Sequence, residues 1–160
     1  MSDEFYTPTQ SWEKVSKYLP DEPVVVYEPF FGKGHTYNFL KNEGYLVLGQ
    51  DGIDFYSDDA TNMLKQCDCV ITNPPFSIKY DVIQRLVQYD VPFMIIFPMG
   101  CITTNKFCQA FNNDTSNVSV IIPKGRLKFI KNEKIVSPNF DSCYVSYKMV
   151  KEKLVFLAEQ

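Results

Sequence analysis

Short apolar runs alternate along this chain with stretches whose apolar residues recur every three or four positions. VVVY at 24–27, YLVLGQ at 45–50, CDCVIT at 67–72, FMIIF at 93–97 and VSVII at 118–122 carry strand patterns. Their near-continuous apolar character predicts strands buried on both faces. Between them, 36–42, 58–65, 78–89 and 103–111 show helical spacing, and Gly44 stands where the first of these helices should close. Ahead of the first strand, Trp12, Val15 and Leu19 share one helical face across 11–19, behind the hydroxyl caps Thr7 and Thr9. Pro20 and Pro23 end that segment. The tail differs: 126–130 and 143–149 read as two strands joined by a polar loop that contains Pro138. Strand alternating with helix predicts a doubly wound α/β fold, its sheet mainly parallel, with a C-terminal antiparallel hairpin. No repeat or linker interrupts the pattern, so residues 1–160 read as one domain.

Composition narrows the function classes. The chain is 45% hydrophobic, which supports a packed core and excludes a disordered chain. A net charge of −3 does not by itself point to a polyanionic partner. The distribution of charge does: Lys124, Arg126, Lys128, Lys131 and Lys134 crowd a stretch whose one acid is Glu133. Such a stretch can contact phosphates; it can equally be a solvated, lysine-rich hairpin. The opening MSDEFYTP is acidic and polar, unlike a signal peptide, and no apolar run approaches the roughly 20 residues of a membrane span. The five cysteines are odd in number and lack zinc spacing, so reduced, mostly buried thiols, no metal and an intracellular location are expected. His35 is the lone histidine and has no neighbouring nucleophile, which argues against a Ser-His or Cys-His pair.

Open α/β sheets bind ligands beyond the carboxyl ends of their strands, and three of those ends are chemically unusual here. The first strand runs into EPFFGKGH, the second into QDGIDF, the third into NPPF. Gly32 and Gly34 open a helix, but Tyr37 stands where a dinucleotide fingerprint needs its third glycine. Glu28 would also face a pyrophosphate. A cofactor with a cationic end and no phosphate suits the turn better, and S-adenosylmethionine is one. Asp51 can accept from both ribose hydroxyls, Asp54 from the adenine amino group, and Phe55 can stack on that ring. Taken alone, the glycines could merely turn the chain; the third strand end tips the balance.

At that end Asn73, Pro74, Pro75 and Phe76 form NPPF. The lone pair of an exocyclic aromatic amine is delocalised into its ring. Two oxygen acceptors holding its two hydrogens localise that lone pair, and the Asn73 side chain and the Pro74 carbonyl can supply them. The prolines fix φ and keep the carbonyl aimed. Phe76 is a platform for a base, a contact worth roughly 1–3 kcal/mol. A strand-ending turn capped by Asn73 is the plainer alternative. Neither a metal nor a shifted acid is needed, and a duplex base would have to be flipped out to reach the site.

These motifs resemble the amino-methyltransferases that modify adenine N6, most of all the small phage-type DNA N-6-adenine enzymes. NPPF matches their catalytic motif, and EPFFGKGH their cofactor loop at Glu28, Pro29, Phe30, Gly32 and Gly34. FYTP matches the segment that touches the methionine end of the cofactor, at Tyr6, Thr7 and Pro8. QDGIDF resembles the ribose and adenine contacts at Asp51, Asp54 and Phe55, and PKGRLKF the hairpin that holds the target base, through Arg126 and Phe129. Lys33 and His35 depart from the usual loop. The resemblance implies a Rossmann-like methyltransferase sheet, S-adenosylmethionine as cofactor and DNA as partner, with Lys124, Arg126, Lys128 and Phe129 on the nucleic acid. RNA adenine, a protein glutamine amide or a non-catalytic subunit are the rival readings. No sizeable target-recognition domain fits in the chain, so a second copy or another subunit is expected to supply that role.

Overall fold

A computed structural model describes residues 5–157. The polar opening at 1–4 lies outside the described residues, as do 158–160. In chain order the elements are α1 (Thr9–Glu13), β1 (Val25–Tyr27), α2 (His35–Asn42), β2 (Leu46–Leu48), α3 (Asp58–Gln66), β3 (Cys69–Thr72), α4 (Lys79–Gln88), β4 (Phe93–Pro98), α5 (Asn105–Ala110), β5 (Val118–Ile122), β6 (Phe129–Lys131), β7 (Lys134–Val136), β8 (Ser142–Tyr147) and β9 (Leu154–Phe156). Seven strands form one sheet in the order β2-β1-β3-β4-β8-β5-β9; β6 and β7 form a separate antiparallel ribbon. Only β8 runs against its neighbours in the large sheet.

Strand alternation explains the two cores. Along β4, Phe93, Ile95 and Phe97 pack on one side of the sheet with Leu64, Val82 and Leu86, from α3 and α4. Met94 and Ile96 pack on the other side with Trp12, Phe39 and Leu40, from α1 and α2. Both faces of the central strands are therefore covered, which is why FMIIF shows no polar alternation.

The mainly parallel sheet and the C-terminal hairpin agree with the pattern in the sequence, but the hairpin's second strand is not the expected one. Segment 126–130 pairs through β6 with the short β7, whereas the 143–149 stretch enters the large sheet as β8, between β4 and β5. Every residue of β8 is buried, and the sheet interior outweighs a local pairing. The expected helix over 11–19 is split: α1 ends at Glu13 and Ser16–Tyr18 is a tight 3-10 turn, with Val15 at φ −115°. Pro8 rather than a hydroxyl precedes α1, and Thr7 is buried toward the site instead of capping.

The parallel register brings three carboxyl ends together. Tyr27 stands beside both Leu48 and Val70, and the Glu28 amide extends the ladder by donating to the Leu48 carbonyl at 2.9 Å. Gly49 lies at φ 145°, and a Cβ there would sit 2.5 Å from the Glu28 carbonyl oxygen. Only glycine permits this approach. Gly49→Ala should cost about 2 kcal/mol or more of stability, read by urea denaturation, from left-handed strain added to a backbone clash.

Candidate active site

The loop after β1 builds its site around one buried acid. Glu28 is 1% exposed, and its carboxylate accepts from the Phe30 amide at 2.9 Å and from the Thr72 hydroxyl at the end of β3. Burial pushes its pKa up to about 8; the bonds from Thr72 and Phe30 oppose the shift without cancelling it. Around neutrality this burial favours the protonated carboxyl.

A cavity of about 270 Å³ opens between the three strand ends. Pro29, Phe30 and Gly32 line it from the first loop, Asp51 from the second, and Asn73, Pro74, Pro75 and Phe76 from the third. A smaller space, lined by Tyr6, Thr7, Glu28, His35 and Asn73 among others, adjoins it. Asn73 lines both, and its Oδ1 is buried with no hydrogen-bond partner among the described residues. A buried acceptor without a donor is costly unless a ligand supplies one. Gly32 is needed for shape: a Cβ would meet the Tyr6 ring at 2.8 Å, in a backbone with φ 57°.

Three of the candidate residues shape this cavity without lining it. Gly34 is buried against the Phe31 ring and starts α2 at φ 86°. Asp54 is exposed, and its Oδ1 accepts from the Tyr56 amide at 2.9 Å in a local turn, away from the lining. Phe55 is core: it packs on Phe30 at 5.1 Å and lies under the Arg85 guanidinium. Ile53, just before them in sequence, lines the cavity instead, together with Phe5, Phe31, Gln50 and Gly52. The sequence offered no signal for these apolar linings. Thr72 is the one polar residue of β3.

Phe76 occupies a short turn before α4, and Phe140 meets its ring edge-on at 5.2 Å. Phe140 in turn touches Phe5 and Phe129. Phe129 is wholly buried, so it supports this aromatic wall and cannot touch a base, contrary to the expectation from sequence. The Arg126 guanidinium is committed to the Asp141 carboxylate at 2.9 Å and to the Pro138 carbonyl at 3.1 Å, fastening the loop that carries Phe140. Lys124 and Lys128 are exposed, with no ion pair among the described residues. Tyr6 crosses to the ribbon through paired backbone bonds with Ile130, which brings the N-terminal segment over the cavity.

Residues 24–148 match the family described as adenine-specific methyltransferase EcoRI. The chain belongs to that family. The match contains all three strand-end loops, while Tyr6 and Thr7 precede it. Among named relatives, the chain is 32% identical over 108 residues to the Type II methyltransferase M.EcoRI of Escherichia coli, covering 62% of this chain and 33% of that protein. It is 31% identical over 91 residues to M.MpnI of Mycoplasma pneumoniae, covering 56% of this chain and 28% of that one. The chain thus spans about a third or less of the length of these curated relatives. A Listeria monocytogenes structure described as a class I S-adenosylmethionine-dependent methyltransferase superposes with a TM-score of 0.59 at 13% identity, over 99% of this chain and 68% of that one. The fold of this family member is therefore the Rossmann-like methyltransferase sheet. No helix among the described residues is long and apolar enough to cross a membrane.

The raised pKa of Glu28 gives a signed test. The folded state keeps a proton up to pH about 8, while an unfolded glutamate releases it near its ordinary value of 4.5. Stability should therefore fall as pH rises from about 4.5 toward 8. Glu28→Gln should remove that decline, read as the midpoint of thermal unfolding against pH, and raise the midpoint at pH 8.

Proposed function

We propose that the protein transfers a methyl group from S-adenosylmethionine to N6 of adenine in DNA, with the target base turned out of the duplex. The observation that carries this reading is the buried, unpartnered Asn73 Oδ1, set at the junction of a cavity that also holds Glu28. The residues fit the cofactor on three counts. Glu28 can ionise against an ammonium, Asp51 can accept from ribose hydroxyls, and Gly32, where a Cβ would strike the Tyr6 ring, lets Tyr6 close over the cavity wall.

When bound, the cofactor supplies a methyl already activated on a sulfonium. The protein's own work is then positioning. Asn73 Oδ1 takes one amine hydrogen, and the Pro74 carbonyl is assigned the other. Phe76, backed by Phe140, holds the plane of the base. As the nitrogen gains its methyl it becomes cationic, and these two oxygens stabilise the charge before a proton leaves to solvent.

Phosphate contacts are assigned to Lys124 and Lys128, with Arg126 serving the loop instead. Action on DNA places the protein inside the cell. A second copy or a partner subunit is proposed to take part in target recognition. Asn73→Ala should reduce labelled methyl transfer to DNA by about a hundredfold or more while leaving the calorimetric affinity for S-adenosylmethionine within about threefold. Full transfer by the variant, or loss of cofactor binding alongside activity, contradicts the role given to Asn73.

A further inference from the structure

Behind the cavity, outside its lining, α4 carries a cation that pairs with no carboxylate among the described residues. Arg85 is half-buried, and its Nε is wholly buried without a hydrogen-bond partner among those residues. One terminal nitrogen donates to the Thr61 hydroxyl of α3 at 2.6 Å. The guanidinium carbon stands 5.7 Å from the centre of the Phe55 ring, 5.4 Å from that of Tyr56 and 5.4 Å from that of Tyr89. A planar cation is held by such ring faces, and an ammonium matches them less well. A partly dehydrated charge without an acid is a poor stabiliser, and an apolar side chain of similar length would fill the space at less cost. Stability alone therefore gives little reason for arginine at this position.

The rings it touches support the cavity from behind. Asp51, Gly52 and Ile53 line the cavity from the loop after β2. Asp51 and Gly52 are exposed, and a Cβ at Gly52 would meet nothing within 4 Å. That stretch has little packing of its own. Its buried anchor is Phe55, which also packs on Phe30 of the loop after β1. Arg85 meets this anchor from α4, the helix that begins directly after the Phe76–Ile78 turn. All three strand-end loops are thus tied together at Phe55 and Arg85.

We infer that Arg85 is a positioning residue for the cofactor: through Phe55 it sets the distance of the wall at Asp51 and Ile53 from Asn73 and Phe76, and so the fit of the nucleoside end. This rests on S-adenosylmethionine being the cofactor.

Calorimetry with S-adenosylmethionine separates this role from a structural one, because affinity and stoichiometry are read together. Arg85→Met keeps an unbranched stem without the charge, and Arg85→Lys keeps the charge without the flat face. Val82→Ala removes core volume from the same helix and serves as the stability control. Arg85→Met should weaken binding about fivefold or more, and Arg85→Lys about threefold or more, each at unchanged stoichiometry. Val82→Ala should lower the midpoint of thermal unfolding and leave the affinity within about twofold. If Arg85→Met does not fold, Arg85→Lys carries the comparison. Affinity within about twofold of the unaltered protein in either folded Arg85 variant, a loss of stoichiometry at unchanged affinity, or equal weakening by Val82→Ala overturns the inference. If the unaltered protein shows no saturable binding of S-adenosylmethionine, the cofactor reading itself fails, and this inference with it.

Discussion

A carboxyl group sealed from water governs this structure. Glu28 lies at the end of β1, and its hydrogen-bond donors come from its own loop and from the last residue of β3. The group is in place only because β1 and β3 run parallel and in register, and because Gly49 lets the β2 end pass close to the Glu28 backbone. An acid this deep is unfavourable when ionised and uncompensated. Its environment therefore favours a ligand that brings a positive charge, and the adjacent orphaned oxygen of Asn73 favours one that brings a donor. Neither group improves the empty fold, and both make chemical sense in a filled one.

The other walls depend on contacts between distant parts of the chain. Ser11 donates to the Lys128 carbonyl, Tyr144 donates to the Ser11 carbonyl, and the Trp12 indole donates to Thr36. These bonds hold the N-terminal segment against the ribbon, β8 and α2, so that Tyr6 can close the cavity over Gly32. On the base side, the Arg126 clamp holds the loop that seats Phe140 behind Phe76. The basic side chain expected on the nucleic acid makes an intramolecular pair at the surface.

Much of this was legible in the sequence because the central strands are apolar on both faces and the three strand ends break that pattern with glycine, aspartate and asparagine-proline. Those ends converge as expected on one cavity. What could not be read was tertiary. Phe129 looks like a surface residue within a basic stretch, yet Phe5 and Phe140 cover it, while Arg126 stays at the surface and pairs there with Asp141. Asp54 and Phe55 share a motif-like run with Asp51, but a turn closed by the Asp54 side chain sends Phe55 into the core and leaves Ile53 at the cavity. Residues 143–149 alternate like a hairpin strand, and only the buried gap between β4 and β5 reveals their true partners.

The central claim is that Asn73 and its prolines hold an adenine amino group before a methyl donor. The most direct measurement is mass spectrometry of nucleosides from unmethylated DNA incubated with the protein and S-adenosylmethionine. The account predicts N6-methyladenine as the methylated product. Methylation of cytosine, or of RNA or protein in parallel incubations while the DNA stays unmodified, would contradict it.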